Sequence, residues 1–367
     1  MSDLDLEDLI SGFQKEYGDE VLQGELVNCE RIPFGIFALD VALGGGIPKG
    51  RVTVLYGPEA AGKSNHALCL MREFQKRYPD KKIVMFDIEQ TMTKDWVEAF
   101  GVNMDGVYLL RPRNAEELVN MTEKVLLADD AGLIITDTLA ATVTLAELDR
   151  DATVANVGGS GLAIGKLCRK SQSSITEANK HGNFPTVVWL NQIRVKVGGF
   201  APGGASPETM PGGKAPLFMA SCIIRLSGRD KKDAKVGGKL AALRDTRAVI
   251  KKKKFPIVNP EAVYDMVMIP HNGLAAGRTR DFPAVKSYAQ DMGMLSKMPG
   301  GGWSFMGDPY PTLDAAWDKL RDDVVAFDKV KAAIVQSLLP DTLAVDPGKP
   351  KLKFKKKLKL KLPKAKK

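Results

Sequence analysis

The octapeptide GPEAAGKS, residues 57–64, has the GxxxxGK[ST] spacing that phosphate chemistry requires. Gly57 and Gly62 let the backbone curl so that its N–H groups face phosphate oxygens, and a helix starting behind the loop adds partial positive charge. Lys63 is then placed to reach the β and γ phosphates, and Ser64 to ligate magnesium. Two acids belong to the same chemistry. Asp137 closes the apolar run LIITD, where a magnesium nucleotide needs a second carboxylate. Glu89 closes MFDIE, where hydrolysis needs a base to orient water, and Asp87 in the same stretch is the weaker candidate. Gln192 follows the apolar run TVVWLN. A neutral amide there can report a phosphate through one hydrogen bond without burying a charge. The candidate nucleotide set is Gly57, Pro58, Glu59, Ala60, Ala61, Gly62, Lys63, Ser64, Asn65 and Asp137, with Ser64 and Asp137 as the metal ligands.

These residues need a scaffold that brings strand ends together. The apolar runs 51–56, 82–87, 106–110, 132–137 and 186–191 lack polar alternation and are spaced by helical stretches such as 63–77 and 114–127. Such strands build a mostly parallel sheet covered on both faces, with ligands beyond the strands' carboxyl ends. CIIRL and RAVIKKKKFP extend the sheet, whereas residues 198–216 are too rich in glycine and proline for regular structure. Leu6, Leu9, Ile10, Phe13 and Tyr17 recur at helical spacing, so residues 3–17 read as an amphipathic helix. The fold class is α/β, a phosphate-loop core with small additions. The expected division is an arm at 1–30, a core at 31–272, a small α/β lobe at 273–345 and a disordered tail at 346–367.

The net charge of +9 sits in the tail: residues 349–367 hold 11 lysines and no acid, leaving the body at −2. A run of one sign repels itself and cannot fold alone, and it suits a polyanion-binding arm. Cys29, Cys69, Cys168 and Cys222 lack metal-ligand or disulfide-framework spacing, so they read as small buried hydrophobes in a reducing compartment. The acidic N-terminus and the lack of any apolar run of about 18 residues imply no signal peptide, no membrane partner and a cytoplasmic location.

Together, ALGGGIPKGRVTVLYGPEAAGKS, the DIE strand end, LIITDT, LNQIRVKVG, PGGKAPLFMAS and GMLSKMPGGGWSF resemble the bacterial RecA recombinase family in order and spacing, from about Arg31 to Leu339. The resemblance implies an ATP- and Mg2+-dependent helical filament on single-stranded DNA that searches duplex DNA for homology and exchanges strands in recombination and repair. It casts Gln192 as the γ-phosphate sensor and 193–213 as a DNA-binding loop, with Arg194, Val195, Lys196, Gly212 and Gly213 on the DNA. A second DNA loop starts at Glu147, with Lys166 and Arg169 as its cations. Trp96 becomes an adenine-stacking residue. Lys251 and Lys253 become cations that reach a neighbouring subunit's γ phosphate, joining Glu89, Lys63 and Gln192 in catalysis. Phe218 and the N-terminal helix become interface elements, and recombination mediators become expected partners.

The chain departs from the family pattern at Thr93, where the family has a ribose-contacting acid, and in the sign of its tail. The second departure suggests a divergent lineage such as a phage-encoded recombinase, working in the host cytoplasm. Three rivals remain: a hexameric helicase that shares the core, disfavoured because only about 30 residues precede it, an ATP-switched DNA mediator, disfavoured by Glu89, and a clock-type signalling ATPase, disfavoured by the basic tail.

Overall fold

Strand and helix alternate from Val52 to Gln192 as the apolar runs predict, and the strands assemble as a parallel block. The computed structural model describes residues 5–18, 29–149, 159–195, 208–232, 235–236 and 240–339. The parallel strands are β1 (Val52–Gly57), β2 (Lys82–Asp87), β3 (Val107–Leu110), β4 (Ala131–Asp137), β5 (Thr186–Gln192) and β6 (Cys222–Asp230). From β6 the sheet continues antiparallel through β7 (Leu243–Lys253), β8 (Glu261–Val267) and β9 (Thr279–Arg280). The order across the nine strands is β9-β8-β7-β6-β1-β5-β4-β2-β3. The sheet therefore takes its last strand from beyond residue 272, the expected end of the core.

Burial explains the change of direction. Every residue of β4 is buried and β5 is buried up to Gln192, as strands covered on both faces must be. Successive residues feed opposite cores: Leu133 and Ile135 pack with Leu55, Leu68 and Phe74, whereas Ile134 packs with Val54, Leu118 and Trp189. Along β7 and β8 buried and exposed residues interleave instead, which fits an antiparallel extension with one face toward solvent.

Helix α1 (Leu6–Tyr17) begins where Asp5 caps it, and none of its residues is buried. Its apolar stripe is open, Leu6 at 68% and Tyr17 at 64% exposure. Helices α2 (Phe37–Ala42), α3 (Lys63–Arg77), α4 (Lys94–Ala99), α5 (Ala115–Leu126) and α6 (Gly159–Lys180) follow. A lobe is built from α8 (Phe282–Asp291), a three-stranded antiparallel sheet over residues 295–310, α9 (Leu313–Asp322) and α10 (Val324–Leu338), with α7 (Ala215–Met219) earlier in the chain. Its core around Val285, Phe305, Trp317 and Ile334 also takes in Phe37 and Val41 of α2, which seats the lobe on the main body.

One expectation is corrected. Residues 198–216 were to lack regular structure, yet Glu208–Thr209 pair antiparallel with Arg194–Val195 and α7 starts at Ala215. Pro216 lies in the first turn of that helix, where its missing N–H costs nothing. The basic tail lies outside the described residues. Among the described residues no helix is long and apolar enough to cross a membrane.

Leu190 lies fully buried on β5, two residues before Gln192. Leu190→Ala should cost about 2–5 kcal/mol, read as a lowered urea midpoint. A midpoint equal to wild type would mean that β5 is not locked in this core.

Candidate active site

The strand ends finish level. Gly57 of β1 stands opposite Gln192 of β5, and Asp87 of β2 opposite Asp137 of β4. Gly57 itself is dictated by crowding, because a Cβ there would collide with the carbonyl oxygen of Leu226 on β6. Gly62 sits at φ 85° and opens α3, the left-handed turn that lets the loop run into a helix. A cleft of about 220 Å³ lies at this edge, lined by residues 59–65 with Glu89, Trp96, Asp137, Gln192 and Arg244. The residues that sequence assigned to phosphate, magnesium and water chemistry within one chain thus meet here, apart from Gly57, Pro58 and the weaker base candidate Asp87, which are not in the lining.

Lys63 donates to the carbonyls of Gly57 (3.3 Å) and Pro58 (2.9 Å). Burial pulls its ammonium below the ordinary lysine range, while Asp137, Glu89 and Glu59 oppose that shift. Ser64 Oγ donates to Asp137 Oδ2 at 2.6 Å. These two hard oxygens suit a magnesium ion that keeps phosphate and water as its other ligands. The donor chemistry therefore fits a magnesium nucleotide, although among the described residues no group of three His, Cys, Asp or Glu side chains could hold a metal. Asn65 also lines the cleft, and its buried Oδ1 lacks a hydrogen-bond partner.

The two acids of DIE divide the work. Asp87 is fully buried, accepts the N–H groups of Thr91 (3.1 Å) and Met92 (3.4 Å), and pairs with Arg111 at 3.3 Å. It is committed to shaping the turn that presents Glu89. Glu89 is exposed in the cleft, and Gln192 Nε2 donates to its Oε1 at 3.1 Å. Trp96 lines the cleft and also packs edge-to-face on Phe100, so its packing and lining roles coexist. Thr93 caps α4 by accepting the N–H of Trp96, which anchors that helix.

The described candidate DNA residues lie past the end of β5 and on α6. Ile193 N–H donates to the Gly57 carbonyl, and Arg194–Val195 then pair with Glu208–Thr209; Lys196 lies outside the described residues. Asn191 donates to the Pro211 carbonyl at 3.1 Å. Gly212 and Gly213 both have positive φ, and a Cβ on Gly212 would come within 2.6 Å of Ile164 on α6. Lys166 and Arg169, both exposed, stand on that same helix. The two candidate DNA segments are thus in contact through Gly212 and Ile164.

Lys251 and Lys253 are exposed on β7 and do not line the cleft. Sequence reading passed over their neighbours. Lys252 donates to the carbonyls of Leu217 (2.5 Å) and Phe218 (2.9 Å), and Lys254 shares a groove with Phe218, itself 68% exposed. Arg244 was missed as well, since nothing local marks an arginine on an alternating strand as reaching the phosphate loop. So was His66, whose ring is buried between Gly62 and Tyr264 and pushed down to about 4 by that burial, so the imidazole is neutral.

Residues 5–270 match the family described as the RecA N-terminal domain. The proteins named Protein RecA from three bacteria are similar along most of the chain. That of Aquifex aeolicus is 31% identical over 308 residues, 83% of this chain and 83% of that protein. Those of Rhodopirellula baltica and Lactobacillus johnsonii are 29% and 30% identical over 341 residues, 91% of this chain and 84% and 88% of those proteins.

Burial raises Asp137 to about 6; the Ser64 hydrogen bond opposes this and the Glu89 charge adds to it. The folded chain thus keeps a proton that the unfolded chain releases, and this stabilisation is full below the ordinary aspartate range and lost as pH rises through about 6. Asp137→Asn keeps the neutral shape and removes the dependence. Its stability relative to wild type should climb by on the order of 3 kcal/mol between about pH 4 and 7 in urea unfolding. A difference that stays flat with pH would show that Asp137 titrates normally.

Proposed function

The chain belongs to the RecA family, and from that premise we propose that it is a DNA-dependent ATPase that assembles as a helical filament on single-stranded DNA and catalyses homologous pairing and strand exchange. The observation that carries this reading is the position of Gln192. Its amide touches Glu89 in the cleft, while Arg194–Val195, just past the strand end, pair with the segment that leads to Gly212. One strand end thereby links the water-activating acid to the candidate DNA surface.

In this reading the residues around the γ phosphate act by position and charge, because phosphoryl transfer offers the protein little covalent chemistry. Glu89 accepts a proton from the attacking water. Lys63 leaves the carbonyls of Gly57 and Pro58 for phosphate oxygens, Ser64 and Asp137 hold the magnesium ion, and Trp96 covers the adenine. Gln192 exchanges its bond to Glu89 for one to the γ phosphate. Arg194, Lys196, Lys166 and Arg169 supply phosphate attraction along the DNA, and Gly212 and Gly213 allow close backbone approach. The basic tail adds a duplex-binding arm, and mediator proteins are expected partners.

Self-association is supported by two open surfaces. Among the described residues nothing buries the apolar stripe of α1, and β3 ends the sheet with Tyr108 exposed. Cations from a neighbour would complete the site, making hydrolysis depend on assembly. The resemblance puts Lys251 and Lys253 in that role, but Lys252 and Lys254 lie beside Phe218, the residue read as interfacial.

ATP hydrolysis with and without long single-stranded DNA tests the reading. DNA should stimulate the wild type strongly, and Glu89→Gln should lower the stimulated rate by about 10²–10⁴-fold while retaining ATP binding. A high rate without DNA would favour a self-assembling motor, and DNA binding that requires ATP without any hydrolysis would favour a switch. The lysine pairs separate in the same assay. Lys252→Ala with Lys254→Ala should abolish stimulation if Phe218 marks the interface, and loss only with Lys251→Ala and Lys253→Ala would return the role to the other pair.

A further inference from the structure

A loop that turns its N–H groups toward phosphate must turn carbonyl oxygens away, and in this chain two of those outward carbonyls are taken by side chains. Arg244 Nη1 donates to the Ala60 carbonyl. The guanidinium is fixed from behind by Asp230 of β6, with Nε at 2.9 Å and Nη2 at 2.7 Å from Oδ1, and its side chain is only 13% exposed. The Gly62 carbonyl accepts the His66 backbone N–H at 3.1 Å where α3 begins and also faces His66 Nδ1 at 2.7 Å, and His66 Nε2 lies 2.5 Å from the Tyr264 hydroxyl. A carbonyl can only accept, so Nδ1 carries the proton and Nε2 accepts from Tyr264. Arg244 is on β7 and Tyr264 on β8, paired strands of the antiparallel extension.

We propose that Arg244, and His66 backed by Tyr264, are positioning residues that hold the outward carbonyls of Ala60 and Gly62 and so keep the loop's N–H groups aimed at nucleotide phosphates. Backbone conformation gives this an independent footing. Ala60 has φ 55° and Gly62 φ 85°. A left-handed conformation is natural for glycine and unfavourable for alanine, so Ala60 needs an external hold, and the Arg244 contact is placed to supply it. The hold comes from the part of the sheet that also carries the Lys251–Lys254 run, which ties the geometry of the phosphate cradle to the strands read as meeting a neighbour. The inference rests on the reading of residues 57–64 as a phosphate site.

Rescue at Ala60 separates positioning from simple charge. ATP affinity would be measured by calorimetry on the full chain, with thermal unfolding of the nucleotide-free protein as a control. Arg244→Met should weaken ATP binding by about tenfold, and adding Ala60→Gly, which removes the left-handed penalty, should restore most of the loss. Tyr264→Phe, a milder change, should weaken binding by about threefold with little change in melting. Unchanged affinity in Arg244→Met and Tyr264→Phe would overturn the proposal. So would a loss in Arg244→Met that Ala60→Gly leaves in place, because the guanidinium would then be acting on nucleotide directly. Lys63→Ala provides the separate check: wild-type ATP binding that does not depend on Lys63 would overturn the phosphate site itself, whatever Arg244 does.

Discussion

The level pairing of β1 with β5 and of β2 with β4 is the constraint on which the cleft depends. Gly57 opposite Gln192 and Asp87 opposite Asp137 put the candidate phosphate loop, the amide and the candidate metal ligand Asp137 at one height. Side chains alternate faces along a strand, so a slip of one residue in β5 would carry Gln192 away from Glu89 and turn Leu190 out of its core. Burial of Leu133, Ile134, Ile135, Val188, Trp189 and Leu190 on two opposed cores makes such a slip expensive. The chemistry is thus positioned by the same packing that makes the sheet.

Much of this was legible in the sequence because its signals are local. GPEAAGKS specifies a strand, a loop and a helix in consecutive residues, and α3 spans 63–77 as its apolar spacing predicts. The runs ending in Asp137 and Gln192 announce strands buried on both faces, and such strands have their ligand-binding ends on one edge. What stayed hidden is carried by long-range contacts. Arg244 meets Ala60 across 184 residues, and His66 meets Tyr264 across 198. The alternating pattern of β7 and β8 gives strand and exposure but not the partner of any one polar side chain. The lysine run shows the same limit. Sequence supplies four adjacent cations, and only the fold shows that Lys252 is tied to the carbonyls around Phe218. Sequence ranked Glu89 above Asp87 as the base, and burial with two backbone partners gives the physical ground, separating a structural acid from an exposed one.

The hydrogen bond between Gln192 and Glu89 gives the proposed chemistry a resting state. A carboxylate that accepts from an amide has one oxygen less available for water. On the proposed reading, transfer of the amide to phosphate frees that oxygen as it commits the strand end to a new partner, so base and sensor change together. A single hydrogen bond contributes only about 1 kcal/mol net, too little to throw a large rearrangement alone. The Ile193 bond to Gly57, the Asn191 bond to Pro211 and the Gly212 contact with Ile164 surround the same strand end. Moving Gln192 therefore disturbs several contacts at once, and their sum gives nucleotide state a route to the segment read as binding DNA.

The antiparallel extension gives a second route, independent of β5. Arg244 directly, and Tyr264 through His66, reach the phosphate loop from strands whose other residues include Lys251–Lys253. If a neighbouring subunit draws on those lysines, it pulls on the strand that steadies Ala60. Because linkage is reciprocal, a nucleotide that tightens the loop must favour the interface by the same free energy with which the interface favours the nucleotide. A neutral histidine and a partly buried, ion-paired arginine suit that task better than a free lysine: their hydrogen bonds are directional, and packing of the sheet extension holds them in place.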